Sequence, residues 1–273
     1  MAKQNERKLN QIESILPEGL LVDAQWMKTE GYSTSLRSQY VAAGWLKQPA
    51  RQVYQRPRGD LVWQQAVISL QTLLGYDLVV GGRSALELQG FGHYLAREDQ
   101  EVHLYGPHRP PTWLSKLPLK TKLRYHNSER VLPLKAQDHM PHSLASTDPL
   151  PEDLVAQAWG QWGWRLVLSS PERAVLEMLD ELPDRESFDH ADKIMEGLAN
   201  LSPKRLERLL IGCRSIKVKR LFFFFADRHQ HAWLKRIDKD SIDLGKGKRL
   251  LVRGGALNHA YQITVPKELD AVQ

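Results

Sequence analysis

Two glycines followed at a distance by two acids have the strongest claim on chemistry in this chain. Gly81 and Gly82 stand between an apolar run and a helix-like segment in "YDLVVGGRSALELQGFGHYL" (76–95), and Asp99 and Glu101 come next. A Gly-Gly turn opening a helix lets a phosphate approach the backbone. Two carboxylates one residue apart on a strand can hold a divalent cation. That is the pattern of a metal-dependent nucleotidyltransferase. Against it, the spacing from Gly82 to Asp99 is long for the motif. Gln100 also fills a place where an apolar strand residue is usual, and no third carboxylate follows on a later strand. The simpler reading is a tight strand-to-helix turn that needs glycine for its backbone.

Other chemistry finds less support. His139 and His142 fall in a Pro-rich stretch, and His229 and His231 end a predicted helix. Neither pair has a third ligand at recognisable spacing, so no metal site is expected. There is no nucleophile-elbow motif for Ser-His-Asp catalysis. Cys213 is the one cysteine and reads as a packed thiol within an apolar helix. It leaves no internal disulfide, which fits a reducing cytoplasm. The chain is therefore read as a non-enzyme with no catalytic residue and no cofactor.

Charge is distributed unevenly. The formal net charge is +6. Residues 137–200 carry 4 basic and 13 acidic side chains, whereas residues 201–253 carry 15 basic and 5 acidic. Such asymmetry points either to two faces with different partners or to helix faces that neutralise one another. Within the basic part, "SIKVKRLFFFFADRHQHAWLKR" (215–236) places four phenylalanines in a row. These point all around a helix, which implies a buried helix with Lys217, Lys219 and Arg220 exposed near its start. "DLGKGKRLLVRGG" (243–255) adds Lys246, Lys248, Arg249 and Arg253 beside Gly turns. Together the seven cations form an expected basic rim for phosphate backbone or an acidic protein.

The first sixty residues carry a different pattern. Leu9, Ile12, Ile15 and Leu16 make one helical stripe, and Pro17 and Gly19 end it. Asp23 can cap a second helix. Ser33 can cap a third that runs to about 43 and stops at Gly44. "WLKQ" (45–48) and "QVYQR" (52–56) read as strands around a bend at 49–51. Helix, helix, turn, helix and two-stranded wing is the order of a winged helix-turn-helix. Ser33, Thr34, Ser35, Arg37, Ser38 and Gln39 suit a helix in the major groove, where hydroxyls, amides and guanidinium reach base edges. Arg37 and Gln39 are the best base readers in this set. Arg51, Arg56 and Arg58 suit phosphate contacts from the wing.

The remainder reads as mixed α+β. A helix is predicted over 61–75, then strand, Gly-Gly turn and helix over 76–95. Strands follow at "QEVHLYG", "KTKLRYHN" and "GWRLVLS". Ser170 and Pro171 announce a helix, and further helices are expected over 187–200, 203–212 and 216–229. "KRLLVRGG" and "AYQITVP" are expected to pair as strands. The chain thus divides into a head, 1–60, and an α+β domain, 61–273. The start lacks the apolar core of a signal peptide, and no run approaches the ~18 apolar residues of a membrane span.

Four stretches resemble the AbiEi antitoxins of AbiE-type, type IV toxin–antitoxin systems, which are regulators in phage defence. They are "AAGWLKQPARQVYQRP", "VVGGRSALELQGFGHYL" with the later "PTWL", "LSSPERAVLEMLDELP" and "DLGKGKRLLVRGGALNHAYQITVP". The resemblance implies a winged helix-turn-helix head that binds double-stranded DNA at inverted repeats in its own promoter and represses the operon. It implies a larger C-terminal domain that counters a nucleotidyltransferase-type toxin, with no requirement for a stable complex, and no enzymatic activity. On the residues alone two rivals stay open. One is a metal-dependent nucleotidyltransferase using Gly82, Asp99 and Glu101; the other is a protein-docking module without sequence-specific DNA binding.

Overall fold

The computed structural model describes residues 2–92, 101–134, 143–144 and 146–270. Asp99, His139 and His142 lie outside the described residues.

The head is built from α1 (Ala2–Ile15), β1 (Leu21–Asp23), α2 (Ala24–Thr29), α3 (Thr34–Ala42), β2 (Lys47–Ala50) and β3 (Val53–Gln55). The three strands form an antiparallel sheet in the order β1-β3-β2. The caps are where their chemistry puts them. The Asp23 carboxylate accepts from the Trp26 amide at 2.9 Å, and the Ser33 hydroxyl accepts from the Leu36 amide at 3.3 Å. Each satisfies an amide that its helix leaves unpaired. The bend between β2 and β3 holds Gln52 at φ 63°. β1 was not expected from the sequence, and Trp45 lies outside the wing strand that was expected to contain it.

α4 (Trp63–Thr72) joins head and body. It is buried along nearly its whole length, which a helix between two layers must be. On one side the Ser69 hydroxyl accepts from the Leu21 amide of β1 at 2.8 Å. On the other, Gln71 donates to the carbonyls of Leu78 and Val167 and accepts from the Val167 amide. One continuous apolar core runs from Ile12 in α1 through Ile68 and Leu70 to Val265 near the end of the chain.

The body centres on β4 (Val79–Val80), α5 (Gly82–Leu88), β5 (Glu101–Gly106), β6 (Lys122–Asn127), β7 (Leu154–Trp159) and β8 (Trp164–Ser169). The five strands make a mixed sheet in the order β6-β5-β4-β8-β7, with β5/β6 and β4/β8 parallel. Four helices follow: α6 (Pro171–Asp180), α7 (Phe188–Gly197), α8 (Pro203–Gly212) and α9 (Ile216–His229). A hairpin of β9 (Ala256–Asn258) and β10 (Ile263–Val265), then α10 (Lys267–Asp270), come last among the described residues. The fold is mixed α+β, with an N-terminal domain and a larger C-terminal one.

α9 is the axis of the helical layer. Phe222, Phe223, Phe224 and Phe225 are all buried, as four consecutive phenylalanines require. Phe222 stacks on Trp233, Phe223 on Tyr261, and Phe225 packs on Phe188. The strand opposite β10 is β9, not "KRLLVRGG", of which only Arg249 makes an isolated bridge, to Ile263. Cys213 lies just past α8 rather than inside a helix; it is buried, and burial raises its thiol pKa.

The charge asymmetry resolves into internal pairing. Glu172 meets Arg205, Glu152 and Asp153 meet Arg208, Asp180 meets Lys217, and Asp192 meets Arg228 and His229. The acidic and basic segments thus neutralise one another in part, through Arg205, Arg208, Lys217 and Arg228.

Candidate functional site

α3 presents two faces of unlike character. Ser33, Thr34, Ser35, Ser38 and Gln39 are exposed, while Tyr40 is buried and packs toward Tyr32. Arg37, expected to read bases, belongs to the inner face. It is only 8% exposed, donates to the carbonyls of Ala24 and Ser33 and to the Thr34 hydroxyl, and lies over the Tyr54 ring. Its guanidinium ties α3 to the start of α2 and to the wing. A planar five-donor group suits such a strut as well as it suits a guanine edge, and sequence spacing alone does not separate the two.

The wing cations divide in the same way. Arg51 is exposed at the bend. Arg56 instead donates to the carbonyls of Glu13 and Leu16, both at 3.0 Å, and so closes the C-terminal end of α1. Its guanidinium also faces Glu18 at 3.5 Å. Arg58 pairs with Glu18 at 3.5 Å and lies 5.5 Å from the Trp162 ring at the β7–β8 turn, linking head to body. Lys47, at the opposite end of β2 from Arg51, is also exposed and is not among the sequence-predicted contacts. It was legible as a cation in a predicted wing strand.

The expected basic rim loses three of its seven members. Arg220 is 2% exposed and donates to the carbonyls of Leu244, Gly247 and Gln262. Lys219 is buried. Lys217 donates to the carbonyls of Asp180 and Leu182. Lys217 and Arg220 hold α9 to its neighbours. Lys246, Lys248, Arg249 and Arg253 remain exposed on a loop that also exposes Leu250, which is 68% accessible.

The Gly-Gly turn is filled from within. The Glu177 carboxylate accepts from the Gly82 amide at 2.9 Å, from the Ser169 hydroxyl at 2.8 Å and from Arg173 Nε at 2.8 Å. A carboxylate therefore occupies the place where a phosphate would approach. A Cβ on Gly81 would lie 2.2 Å from Glu177 Oε2 and 2.5 Å from the Tyr105 ring. Close packing explains that glycine, while Gly82 also adopts φ 54°. Glu101, the second acid of the expected pair, is ion-paired with Arg124.

Beside this turn lies a cluster the sequence did not announce. His103 Nδ1 is 2.9 Å from His126 Nε2, and His126 Nδ1 is 3.0 Å from Glu181 Oε1. The Tyr105 ring stacks on His126 at 4.6 Å. Burial, with help from the neighbouring His126 and Arg83, lowers the His103 pKa to about 4. Burial alone would raise the Glu181 carboxyl, but hydrogen bonds and charge from His126, with Arg185, outweigh it and hold it at about 2. The three residues come from three separate elements, so no local motif signals them.

The chain was compared with known proteins. A family model described as "Transcriptional regulator, AbiEi antitoxin, Type IV TA system" matches residues 99–266. A second, for the AbiEi antitoxin N-terminal domain, matches residues 5–97. The chain belongs to the AbiEi antitoxin family. No protein with a curated description matches it significantly. The crystal structure of the RV2827C protein from Mycobacterium tuberculosis is similar over 94% of this chain and 89% of that one. The TM-score is 0.53 at 17% identity, a likeness of fold. The two AbiEi family models meet between 97 and 99, so the N-terminal one takes in α4 and α5 as well as the head. Among the described residues no helix is long and apolar enough to cross a membrane.

Proposed function

We propose that this AbiEi family member is a DNA-binding repressor of its own promoter and the antitoxin of its operon, acting in the cytoplasm. In this reading the head binds inverted repeats in double-stranded DNA, and the larger domain counters a nucleotidyltransferase-type toxin. The observation that carries the DNA-binding half is the outer face of α3. Ser33, Thr34, Ser35, Ser38 and Gln39 stand clear of the core on a helix braced from behind by Arg37. Short hydroxyls and an amide at a helix N-terminal half are the groups that reach base edges in a major groove. Gln39 is the base reader, because its amide can bond adenine in two places at once. Arg51 and Lys47, exposed on the wing, supply phosphate contacts that set register.

The antitoxic surface in this reading is the loop that exposes Lys246, Lys248, Arg249, Leu250 and Arg253. A promoter-reporter strain with the toxin gene under separate control tests both halves. Gln39→Ala with Arg51→Ala should lose repression and keep protection from the toxin. Neutralising the four loop cations should do the reverse. Repression that survives the first change, or protection that survives the second, would overturn the corresponding half.

A further inference from the structure

Three ligating side chains meet on one face of the five-stranded sheet, near its β6 edge. His103 on β5, His126 on β6 and Glu181, just past α6, each bring one donor atom within 4.8 Å of the other two. We propose that this His–His–Glu set binds one divalent transition-metal ion of the zinc class, with water completing the coordination. Two imidazole nitrogens and one carboxylate oxygen are the donor set of zinc and its neighbours. Calcium and magnesium take oxygen ligands instead.

The three donors are gathered within reach of one ion, as a hydrogen-bonded chain from His103 through His126 to Glu181. Zinc–nitrogen bonds of about 2.0–2.1 Å in tetrahedral coordination separate two donors by roughly 3.3 Å. His103 Nδ1 and His126 Nε2 face each other at 2.9 Å, whereas Glu181 Oε1 lies 3.0 Å from Nδ1, the other nitrogen of His126, so one ion reaches all three only when the histidines part slightly and the Glu181 side chain swings off Nδ1. The rings are held before any ion arrives. In the parallel β5–β6 register His103 pairs with Arg124 and Tyr105 with His126. This puts both histidines on one face, with ring planes 8° apart. Tyr105 stacks on His126. Glu181 also accepts from Arg185 at 3.3 Å, an outer hydrogen bond of the kind that orients ligating carboxylates. The nearby Arg83 is answered by Glu87 and Glu186, each at 3.5 Å, so its charge does not cancel that of Glu181. β6 is an edge strand and only partly buried, which leaves a way in. A bound ion would fasten the β5–β6 edge of the sheet to the end of α6.

The test uses the full chain, stripped with EDTA and then titrated with Co2+ and with Zn2+. The expected result is one ion per chain, a visible Co2+ spectrum of tetrahedral nitrogen and oxygen ligation, and a higher melting temperature with Zn2+. His126→Gln should weaken Zn2+ binding by at least about tenfold. Glu181→Gln should do likewise, while His229→Gln with His231→Gln should leave it unchanged. Circular dichroism without metal establishes that each variant is folded. The wild-type Co2+ spectrum stands even if a ligand variant does not fold. A wild-type chain with no tetrahedral Co2+ spectrum and no thermal shift in excess Zn2+ would overturn the proposal. Equal uptake by a folded His103→Gln/His126→Gln chain would do the same.

Discussion

Glu177 Oε2 accepts the backbone amide of Gly82 at 2.9 Å, and so the turn most suggestive of phosphate binding holds the protein's own carboxylate. The same carboxylate takes hydrogen bonds from Ser169 and from Arg173, which is 1% exposed. A buried pair of this kind is costly to break, because the surviving partner keeps its charge without its counter-ion. Glu177→Ala should therefore destabilise the fold by about 3–5 kcal/mol. Urea unfolding checks it. A change under about 1 kcal/mol would mean that Glu177 is not what fills the turn.

Gly81→Ala should also destabilise, by about 1–3 kcal/mol, since its Cβ would fall 2.2 Å from Glu177 Oε2 and 2.5 Å from Tyr105. The nucleotidyltransferase reading expects a different signature, a loss of nucleotide and magnesium binding. Melting the wild-type chain with and without nucleotide and magnesium separates the two. Equal melting temperatures are expected.

Arg37 and Gln39 sit two residues apart on α3 and should behave oppositely. Arg37→Ala removes a buried strut and should lower the melting temperature of the head. Gln39→Ala should leave stability within about 0.5 kcal/mol of wild type. It should weaken operator binding by about 1–3 kcal/mol and relax preference at one base pair. Thermal melts paired with binding titrations on both variants decide. An Arg37→Ala chain of unchanged stability would return Arg37 to the list of base readers.

Acidification should destabilise the metal-free protein in two stages. His103 has a folded pKa of about 4, below its ordinary 6.5. Its contribution is complete above 6.5 and is lost as pH falls toward 4, because the unfolded chain then binds the extra proton. Glu181, held at about 2 against an ordinary 4.5, adds a second loss between those values. His103→Gln should remove the upper stage alone. Stability measured by denaturant at stepped pH in EDTA checks this, and an upper stage that persists in the variant would contradict it.

The head was legible because its signals are local. Asp23 and Ser33 cap the expected helices, as do Ser170, Ser202 and Ser215 in the body, with Pro171 at the first position of α6. β1 was missed because a three-residue strand has no period to read, and its partner β3 lies 32 positions on. β7 was missed because "LVAQAW" is half exposed and shows no polar–apolar alternation, with Gln157 its one polar residue. The inward-turned cations escaped for another reason. Arg37, Lys217 and Arg220 look like surface charge until remote carbonyls close over them, and those carbonyls come from other parts of the chain. His103, His126 and Glu181 are joined only by sheet register and the end of α6, which no spacing rule captures.

In the proposed function α3 and its wing read a DNA sequence. The most direct test is a gel-shift titration of purified protein at about 150 mM salt. One probe is the DNA just upstream of its gene, and the other is a scrambled duplex of equal length. The account predicts binding to the upstream DNA at least about 1000-fold tighter than to the scrambled duplex. Equal, weak and strongly salt-dependent binding to both would contradict it, leaving only the attraction of a basic protein for phosphate.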